Sequence, residues 1–313
     1  MVVVTVSAAG RSSLLKGLPT TVEIANKGAD AVTVGDVKAA VAAKFPKLYV
    51  ERQKLSLKDD KKALVDEATL ASAGVADGAE LAVKDLGPQI SWRTVFLVEY
   101  VGPLIIHPLF YHLPQIFYGG PVQHSRVQQY AYAMVLAHYV KRELETIFVH
   151  RFSKSTMPFR NIFKNSAHYW ILGSLFLAYP IYSPTLSAHS PFVKGTTRDD
   201  PNFLLGCTAF WLFCELSNFK AHLTTANLRP AGSRKRAVPY GYGFNLVSFP
   251  NYFFEALGWV TVSVMTGSWA AWFFTAISSG QMLIWAQKKH VAYKREFGKE
   301  FPRGRKAMIP FLF

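Results

Sequence analysis

The chain beyond residue 88 alternates long apolar blocks with basic segments, and this pattern constrains the fold more than any single motif. The apolar blocks lie near residues 94–118, 127–149, 167–184, 202–219, 246–266 and 268–286. Several approach the roughly 20 residues that an α-helix needs to cross the hydrocarbon core of a membrane. The pattern predicts a multi-pass α-helical membrane bundle of about six to seven transmembrane helices, with the last two blocks forming either two helices or three shorter ones.

The charge of the chain fits such a bundle. Lys and Arg number 35 against 20 Asp and Glu, which gives a formal net charge of +15, although 50% of the residues are hydrophobic. Residues 216–254 contain no acidic side chain, and a second basic run covers residues 287–306. Basic segments that flank apolar blocks are typical of the cytosolic loops of membrane proteins. We expect no nucleic-acid partner, because a nucleic-acid-binding protein would carry this charge on a soluble domain.

Residues 1–88 have a different pattern and predict a separate domain. Runs rich in β-branched residues predict strands, and the apolar spacing in residues 34–41 predicts an amphipathic helix. The predicted strands cover residues 2–6, 21–24, 48–50, 55–57 and 80–83. This order resembles the ubiquitin-like β-grasp fold. A hinge at residues 86–88 therefore divides the chain into a ubiquitin-like domain at 1–88 and a transmembrane domain at 89–313.

The chain has two cysteines, Cys207 and Cys214, seven residues apart on one predicted helix. This spacing is about two helical turns, which is too far for a disulfide. We expect both to be buried, reduced thiols.

Two polar residues in the first apolar blocks are candidates for function. A carboxylate in lipid is costly, so we expect Glu99 to face the bundle interior, unless it is an interfacial anchor near a helix end. Arg142 either forms an ordinary surface pair with Glu143 or Glu145 or directs its planar donor fork at a phosphate. The local pattern does not decide between these alternatives.

Asn218, His222 and Arg229 lie where a predicted helix leaves the membrane. Asn218 and His222 are four residues apart and therefore share one helix face. Each alone is explained by capping or by contacts with lipid headgroups. Together with Arg229 they indicate an edge that faces a nucleotide.

Asn251, Tyr252 and Glu255 follow at the start of the next apolar block. Asn251 and Glu255 are again four residues apart, and their amide and carboxylate suit ribose hydroxyls or a carboxamide. Tyr252 is a candidate proton donor. The alternative is an interfacial tyrosine beside a capping asparagine, a common arrangement at membrane surfaces.

The basic tail carries His290 and Tyr293 among several lysines and arginines. It either contributes to the same ligand site or binds anionic lipid as a juxtamembrane helix. The histidines of the chain are scattered and no two are adjacent, so we expect no multi-histidine metal site.

These residues fall in segments that resemble the steroid 5α-reductase family. The matching segments are Asn218 with residues 228–232, residues 250–255, and the tail at 289–311. Three further segments are similar to the branch of that family that reduces very-long-chain trans-2-enoyl-CoA. They are residues 99–104, residues 148–158 and the ubiquitin-like N-terminus.

The resemblance implies a multi-pass enzyme of the endoplasmic reticulum membrane with cytosolic N- and C-termini. Such an enzyme uses NADPH to reduce the 2,3-double bond of a long-chain enoyl-CoA, the last step of each fatty-acid elongation cycle. It also implies contact with membrane lipid and with other fatty-acid elongation enzymes.

The resemblance also assigns roles to single residues. Tyr252 and Glu99 would be the catalytic pair. Steroid-reducing members carry an aspartate where this chain has His222, which favours the CoA substrate, and the spacing after His290 is shifted against the steroid branch. The cofactor-binding positions would be Asn218, His222, Arg229, Asn251, Glu255, His290, Tyr293 and, as a looser match, Arg142.

Three alternatives remain open from the sequence. The first is a reductase of the same family that acts on a steroid or polyprenol enone. The second is a membrane methyltransferase of related helical architecture that uses S-adenosylmethionine. The third is a non-catalytic scaffold whose ubiquitin-like domain binds elongation partners.

Overall fold

The structure, a computed structural model, describes residues 2–25, 28, 30–76, 78–152, 155–228 and 237–313. The chain divides into two compact units. One contains residues 1–92 and 154–162, and the other contains residues 93–153 and 163–313.

The first unit contains a four-stranded sheet in the order β2-β1-β4-β3. β1 (Val2–Ala8) pairs antiparallel with β2 (Thr20–Ile24) and parallel with β4 (Glu80–Asp85). β3 (Gln53–Leu57) pairs antiparallel with β4, and the helix α1 (Val34–Lys44) lies between β2 and β3 in the chain. Apart from the strand predicted at residues 48–50, the predicted order of strands around one helix is confirmed.

Local sequence explains these elements. Alternate residues of a strand face opposite sides of a sheet, and Val2, Val4 and Val6 of β1 are accordingly buried. Thr33 caps α1, because its hydroxyl accepts a hydrogen bond from the Asp36 N–H while the Asp36 carboxylate accepts one from the Thr33 N–H. This reciprocal capping box satisfies N–H groups that a helix start leaves unpaired.

The strand predicted at residues 48–50 is wrong. The segment leads instead into a 3₁₀ helix at Val50–Arg52. The Leu48 N–H donates to the Phe45 carbonyl and the Arg52 N–H donates to the Tyr49 carbonyl. These local hydrogen bonds use backbone groups that a strand would pair with a neighbour.

Helices dominate the second unit, and α5 and α6 are joined by a π-helical segment at His168–Leu175. A further two-stranded ladder, β5 (Gln89–Ser91) with β6 (Thr156–Pro158), belongs to the first unit. The helices are α2 (Trp92–His112), α3 (Pro114–Tyr118), α4 (Arg126–Phe148), α5 (Asn161–Ala167), α6 (Phe176–Ile181), α7 (Pro201–Asn227), α8 (Pro250–Thr266) and α9 (Trp269–Phe297).

The last two apolar blocks form two helices, so the alternative of three shorter ones is wrong. Pro250 occupies the first turn of α8, where its missing N–H costs nothing. Gly267 ends α8 with a φ of 61°, a left-handed conformation that favours glycine. The chain then turns directly into α9 at Trp269.

Among the described residues, one helix, Trp92–His112, is long and apolar enough to cross a membrane by its length and composition. The number of spans therefore stays a prediction.

Both cysteines are free thiols on α7. Cys214 is buried, but Cys207 is partly exposed, so the prediction of two buried thiols is wrong for Cys207. The reason is its position on the helix face that lines an apolar surface groove with Phe203, Phe210 and Val264.

Hydrogen bonds show which helix ends adjoin in the second unit. The start of α2 lies beside the end of α4, because Arg93 Nη2 donates to the Ile147 carbonyl at 2.7 Å. The C-terminal half of α7 lies beside the start of α8, because Asn218 Nδ2 donates to the Asn251 carbonyl at 2.9 Å. The polar candidates lie near these ends.

Candidate active site

Arg142 on α4 is the centre of a buried polar cluster. Its Nη1 donates to Glu145 Oε2 at 2.8 Å, and its Nη2 donates to the Tyr100 hydroxyl at 2.8 Å. The predicted pair of Arg142 with Glu145 is therefore confirmed, but it is buried and not on the surface, since Arg142 is 9% exposed and Glu145 is 2% exposed. A buried guanidinium needs such partners, because an unpaired charge in the interior is strongly unfavourable.

His222 on α7 extends this cluster. Its Nδ1 lies 3.0 Å from Glu145 Oε1 and its Nε2 lies 3.4 Å from Asn251 Nδ2. His222 Nδ1 also lies 3.4 Å from Arg142 Nη1, so this ring nitrogen faces both a carboxylate and a guanidinium. His222 thus connects α4, α7 and α8.

Asn218, one turn earlier on α7, connects the same helices. Its Nδ2 donates to the Asn251 carbonyl at 2.9 Å and to Glu255 Oε2 at 3.3 Å. Asn251 and Glu255 therefore share one face of α8, as their spacing predicts. Asn218 is 2% exposed, whereas Asn251 and Glu255 are half-buried.

Three residues behind Asn218 were not among the sequence candidates. Lys141 Nζ donates to Asn218 Oδ1 at 2.5 Å and lies 3.0 Å from Glu215 Oε2. Glu215 Oε1 in turn lies 2.8 Å from His138 Nδ1. A signal for two of them was present in the sequence. His138, Lys141 and Glu145 are spaced three and then four residues apart, which places all three on one face of a helix.

Glu99 on α2 is buried at 2% exposure, as expected of a carboxylate that faces the interior. It hydrogen-bonds Asn165 and interacts electrostatically with Arg142. Its neighbour Tyr100 accepts the hydrogen bond from Arg142. Glu99 therefore adjoins the Arg142 cluster.

Tyr252 belongs to a second group of side chains, on α8 and α9. Its hydroxyl accepts a hydrogen bond from Lys289 Nζ at 2.8 Å, and the Lys289 ammonium also lies 5.2 Å from the Tyr252 ring centroid. Its ring stacks on Phe249 at 5.7 Å. The Tyr293 ring also packs against Phe249, with the ring centroids 5.6 Å apart.

His290 directly follows Lys289 on α9 and is buried. Its Nδ1 is 2.7 Å from Ser248 Oγ, and its ring packs edge-on against Phe301. The alternative of a simple lipid-binding basic helix does not explain a buried, hydrogen-bonded histidine.

The structure thus places the candidates in two groups. Asn218, His222, Asn251, Glu255 and Arg142 form one hydrogen-bonded cluster, which Glu99 adjoins. Tyr252, His290 and Tyr293 form the second group around Phe249 and Ser248. Glu99 and Tyr252 have separate partners. Arg229 lies outside the described residues.

Among the residues that the structure describes, one set of side chains has the composition of a metal site. The ligand atoms of Glu145, His150 and His222 lie within 4.8 Å of one another, although the three are too scattered in sequence for a recognisable metal-binding motif. Burial and the nearby Arg142 lower the pKa of His150 to about 3, so its imidazole is neutral at pH 7. However, Arg142 and Lys141 already neutralise Glu145 and would repel a divalent ion. We assign no metal to this cluster.

With this geometry in view, the comparisons with known proteins identify the family. The chain matches the 3-oxo-5-alpha-steroid 4-dehydrogenase family over residues 155–313 and the ubiquitin-like domain of TECR over residues 20–85. It belongs to the 3-oxo-5-alpha-steroid 4-dehydrogenase family.

Proteins that match this chain over nearly its whole length are named as enoyl reductases or as similar to them. A Schizosaccharomyces pombe protein, described provisionally as an enoyl reductase, is 47% identical over 99% of this chain and 99% of its own length. The very-long-chain enoyl-CoA reductase of Dictyostelium discoideum is 40% identical over 90% of this chain and 92% of its own. A human trans-2,3-enoyl-CoA reductase-like protein is 34% identical over 92% of this chain and 79% of its own.

Proposed function

We propose that this protein reduces the 2,3-double bond of very-long-chain trans-2-enoyl-CoA with NADPH and releases the saturated acyl-CoA, the last step of the fatty-acid elongation cycle. One observation carries the proposal. In a chain whose relatives are named as enoyl-CoA reductases, Arg142, Asn218, His222, Asn251 and Glu255 converge from separate helices into one hydrogen-bonded cluster.

The cluster suits a nicotinamide cofactor by its chemistry. Asn amides and a Glu carboxylate offer the donors and acceptors that a carboxamide and ribose hydroxyls require. Arg142, His290 and, from the sequence, Arg229 would meet the phosphates, with Tyr293 beside them. When bound, NADPH supplies a hydride equivalent to an electron-poor carbon.

Reduction of an enoyl thioester builds negative charge on its carbonyl oxygen and requires a proton at the α-carbon. We assign the proton, or the hydrogen bond to that oxygen, to the Tyr252 hydroxyl. Its hydrogen bond from Lys289 orients the phenol. Glu99 would be the second catalytic group. Because the two side chains have separate partners, substrate or water would have to connect them.

The setting follows from the same assignment. We propose a ubiquitin-like domain at 1–88 and a membrane-embedded catalytic domain at 89–313 that crosses the endoplasmic reticulum membrane about six to seven times. The basic segments would face the cytosol, together with both termini. Membrane lipid and other elongation enzymes would be its partners there.

The test is NADPH consumption by the purified, detergent-solubilised protein with a long-chain trans-2-enoyl-CoA. Tyr252→Phe and Glu99→Gln should each lower kcat by about 100-fold or more while the affinity for NADPH is kept, since general acid catalysis contributes that much. Tyr179→Phe, at an exposed tyrosine of α6, is the matched control and should keep full activity. Wild-type protein that consumes no NADPH with this substrate would refute the proposal.

A second candidate is reduction of a steroid or polyprenol enone, which the name of the matching family favours. A conjugated ketone needs the same hydride, oxygen stabilisation and proton. The two candidates are separated by offering both substrate classes to one preparation. Oxidation of NADPH with the steroid or polyprenol alone would reject the enoyl-CoA assignment.

A further inference from the structure

Lys141 on α4 occupies a position that the proposed function does not use. Its Nζ donates to Asn218 Oδ1 at 2.5 Å and lies between two carboxylates, 3.0 Å from Glu215 Oε2 and 3.3 Å from Glu145 Oε1. The Lys141 side chain is 19% exposed, and the two carboxylates are 8% and 2% exposed. This is a built ion cluster in the interior of the second unit, not a solvated surface charge.

The contacts of Asn218 define which way its amide points. Lys141 is a donor without acceptor capacity, so the atom of Asn218 that faces it must be the oxygen. The Asn251 carbonyl and the Glu255 carboxylate are acceptors, so the atom that faces them must be the NH₂ group. The reversed amide would set donor against donor and acceptor against acceptors at all three contacts.

Glu215 keeps the Lys141 ammonium in place. Its Oε2 forms an ion pair with Lys141 Nζ at 3.0 Å, and its Oε1 is hydrogen-bonded to His138 Nδ1 at 2.8 Å. The His138 ring packs edge-on against Trp259 at 5.1 Å, in the aromatic core. A chain of polar contacts therefore runs from the core, through Glu215 and Lys141, to the amide of Asn218.

We infer that Lys141, held by Glu215, is a positioning residue that fixes the amide of Asn218 and thereby aligns Asn251 and Glu255 for the cofactor. This inference rests on the proposed function. It assigns Lys141 a role in cofactor affinity without contact between Lys141 and the reacting atoms.

The experiment measures the Kd and KM for NADPH and the kcat with a long-chain trans-2-enoyl-CoA. Lys141→Met keeps the length of the side chain and removes the charge and the donor. It should raise the Kd and KM for NADPH about tenfold, since buried polar groups then lose their partner, and change kcat much less. Lys141→Arg restores a cationic donor and should keep both constants within about threefold of wild type.

A double-mutant comparison tests whether Lys141 acts through Asn218. Asn218→Ala removes the amide that Lys141 orients, so Lys141→Met added to Asn218→Ala should change the NADPH Kd by less than about twofold, because coupled residues are not additive. Independent, additive effects would overturn the inference. Lys194→Met, at an exposed lysine before α7, is the matched control and should leave all constants unchanged.

Other outcomes are equally decisive. A loss of folded protein with unchanged KM in the fraction that remains would show a merely structural role and overturn the inference. If Lys141→Met does not fold, Glu215→Gln replaces it: the amide keeps the shape but lacks the charge that holds Lys141, and an unchanged KM would again overturn the inference. Wild-type protein that binds NADPH and reduces the enoyl-CoA preserves the proposed function in each of these cases. Wild-type protein that does neither removes the function and this inference together.

Discussion

Gly102 on α2 allows a close approach of Trp170, and adding one methyl group there should destabilise the helical unit. A Cβ at Gly102 would lie 2.6 Å from Trp170 Cδ1 and Nε1 and 2.7 Å from Cδ2. The indole cannot move away without losing a hydrogen bond, because its Nε1 donates to the Val98 carbonyl at 2.8 Å. Gly102→Ala therefore forces either a steric clash or the loss of a hydrogen bond.

The magnitude follows from opposing contributions to the free energy of unfolding. Overpacking costs about 1–3 kcal/mol, and loss of the Trp170 hydrogen bond costs about 1 kcal/mol. Alanine has a higher helix propensity than glycine, which raises the free energy of unfolding by about 1 kcal/mol. The net loss is about 1–3 kcal/mol, which lowers the melting temperature by several degrees in a unit of this size, at about 2–4 °C per kcal/mol.

The assay is the apparent melting temperature of the detergent-solubilised protein, followed by tryptophan fluorescence. Gly280→Ala on α9 is the matched control, since nothing lies within 4 Å of a Cβ built there. It should gain up to about 1 kcal/mol from helix propensity. A Gly102→Ala protein that melts as high as Gly280→Ala would refute the packing argument.

Three further predictions concern buried polar groups. The Arg52 guanidinium lowers the pKa of Asp85 to about 2. The ion pair therefore stabilises the first unit above about pH 4, and this stability is lost as the pH falls through about 2. Asp85→Asn should remove this part of the acid dependence, measured by hydrogen exchange on the whole protein. Gln53 donates to two backbone carbonyls, so Gln53→Leu should lower the free energy of unfolding by about 1–3 kcal/mol, measured by chemical denaturation. A decrease smaller than that of the same substitution at a surface glutamine would contradict this. Arg142→Met removes an ion-pair partner of the buried Glu145 and should lower the free energy of unfolding by about 3 kcal/mol or more. The measurements are the melting temperature, which should fall, and the affinity for NADPH, which should weaken.

Part of the candidate site was predictable from local spacing. Asn251 and Glu255 are four residues apart, and on α8 both contact Asn218. Glu99 is buried because an ionisable group in an apolar block is disfavoured in lipid and turns inward. The roles of these residues in binding and catalysis stay predictions.

Other features could not be predicted because they depend on contacts between distant segments. Lys141 and Glu215 are ordinary charged residues in sequence, and only the packing of α4 against α7 brings them within 3.0 Å. The same holds for Glu145, His150 and His222, whose nearness no spacing rule anticipates. The strand predicted at 48–50 failed because local backbone hydrogen bonds competed with pairing across a sheet.

The sequence by itself determined most of the helices and strands. Periodicity of apolar residues, proline and glycine at helix ends, and β-branched alternation act over one or two turns of chain, so they can be read without a fold. Tertiary structure alone decided which polar groups meet. A buried charge is stable only beside its partner, and that partner comes from another helix, as Glu215 does for Lys141. The different partners of Glu99 and Tyr252 were likewise decided by packing between helices, which no local pattern encodes.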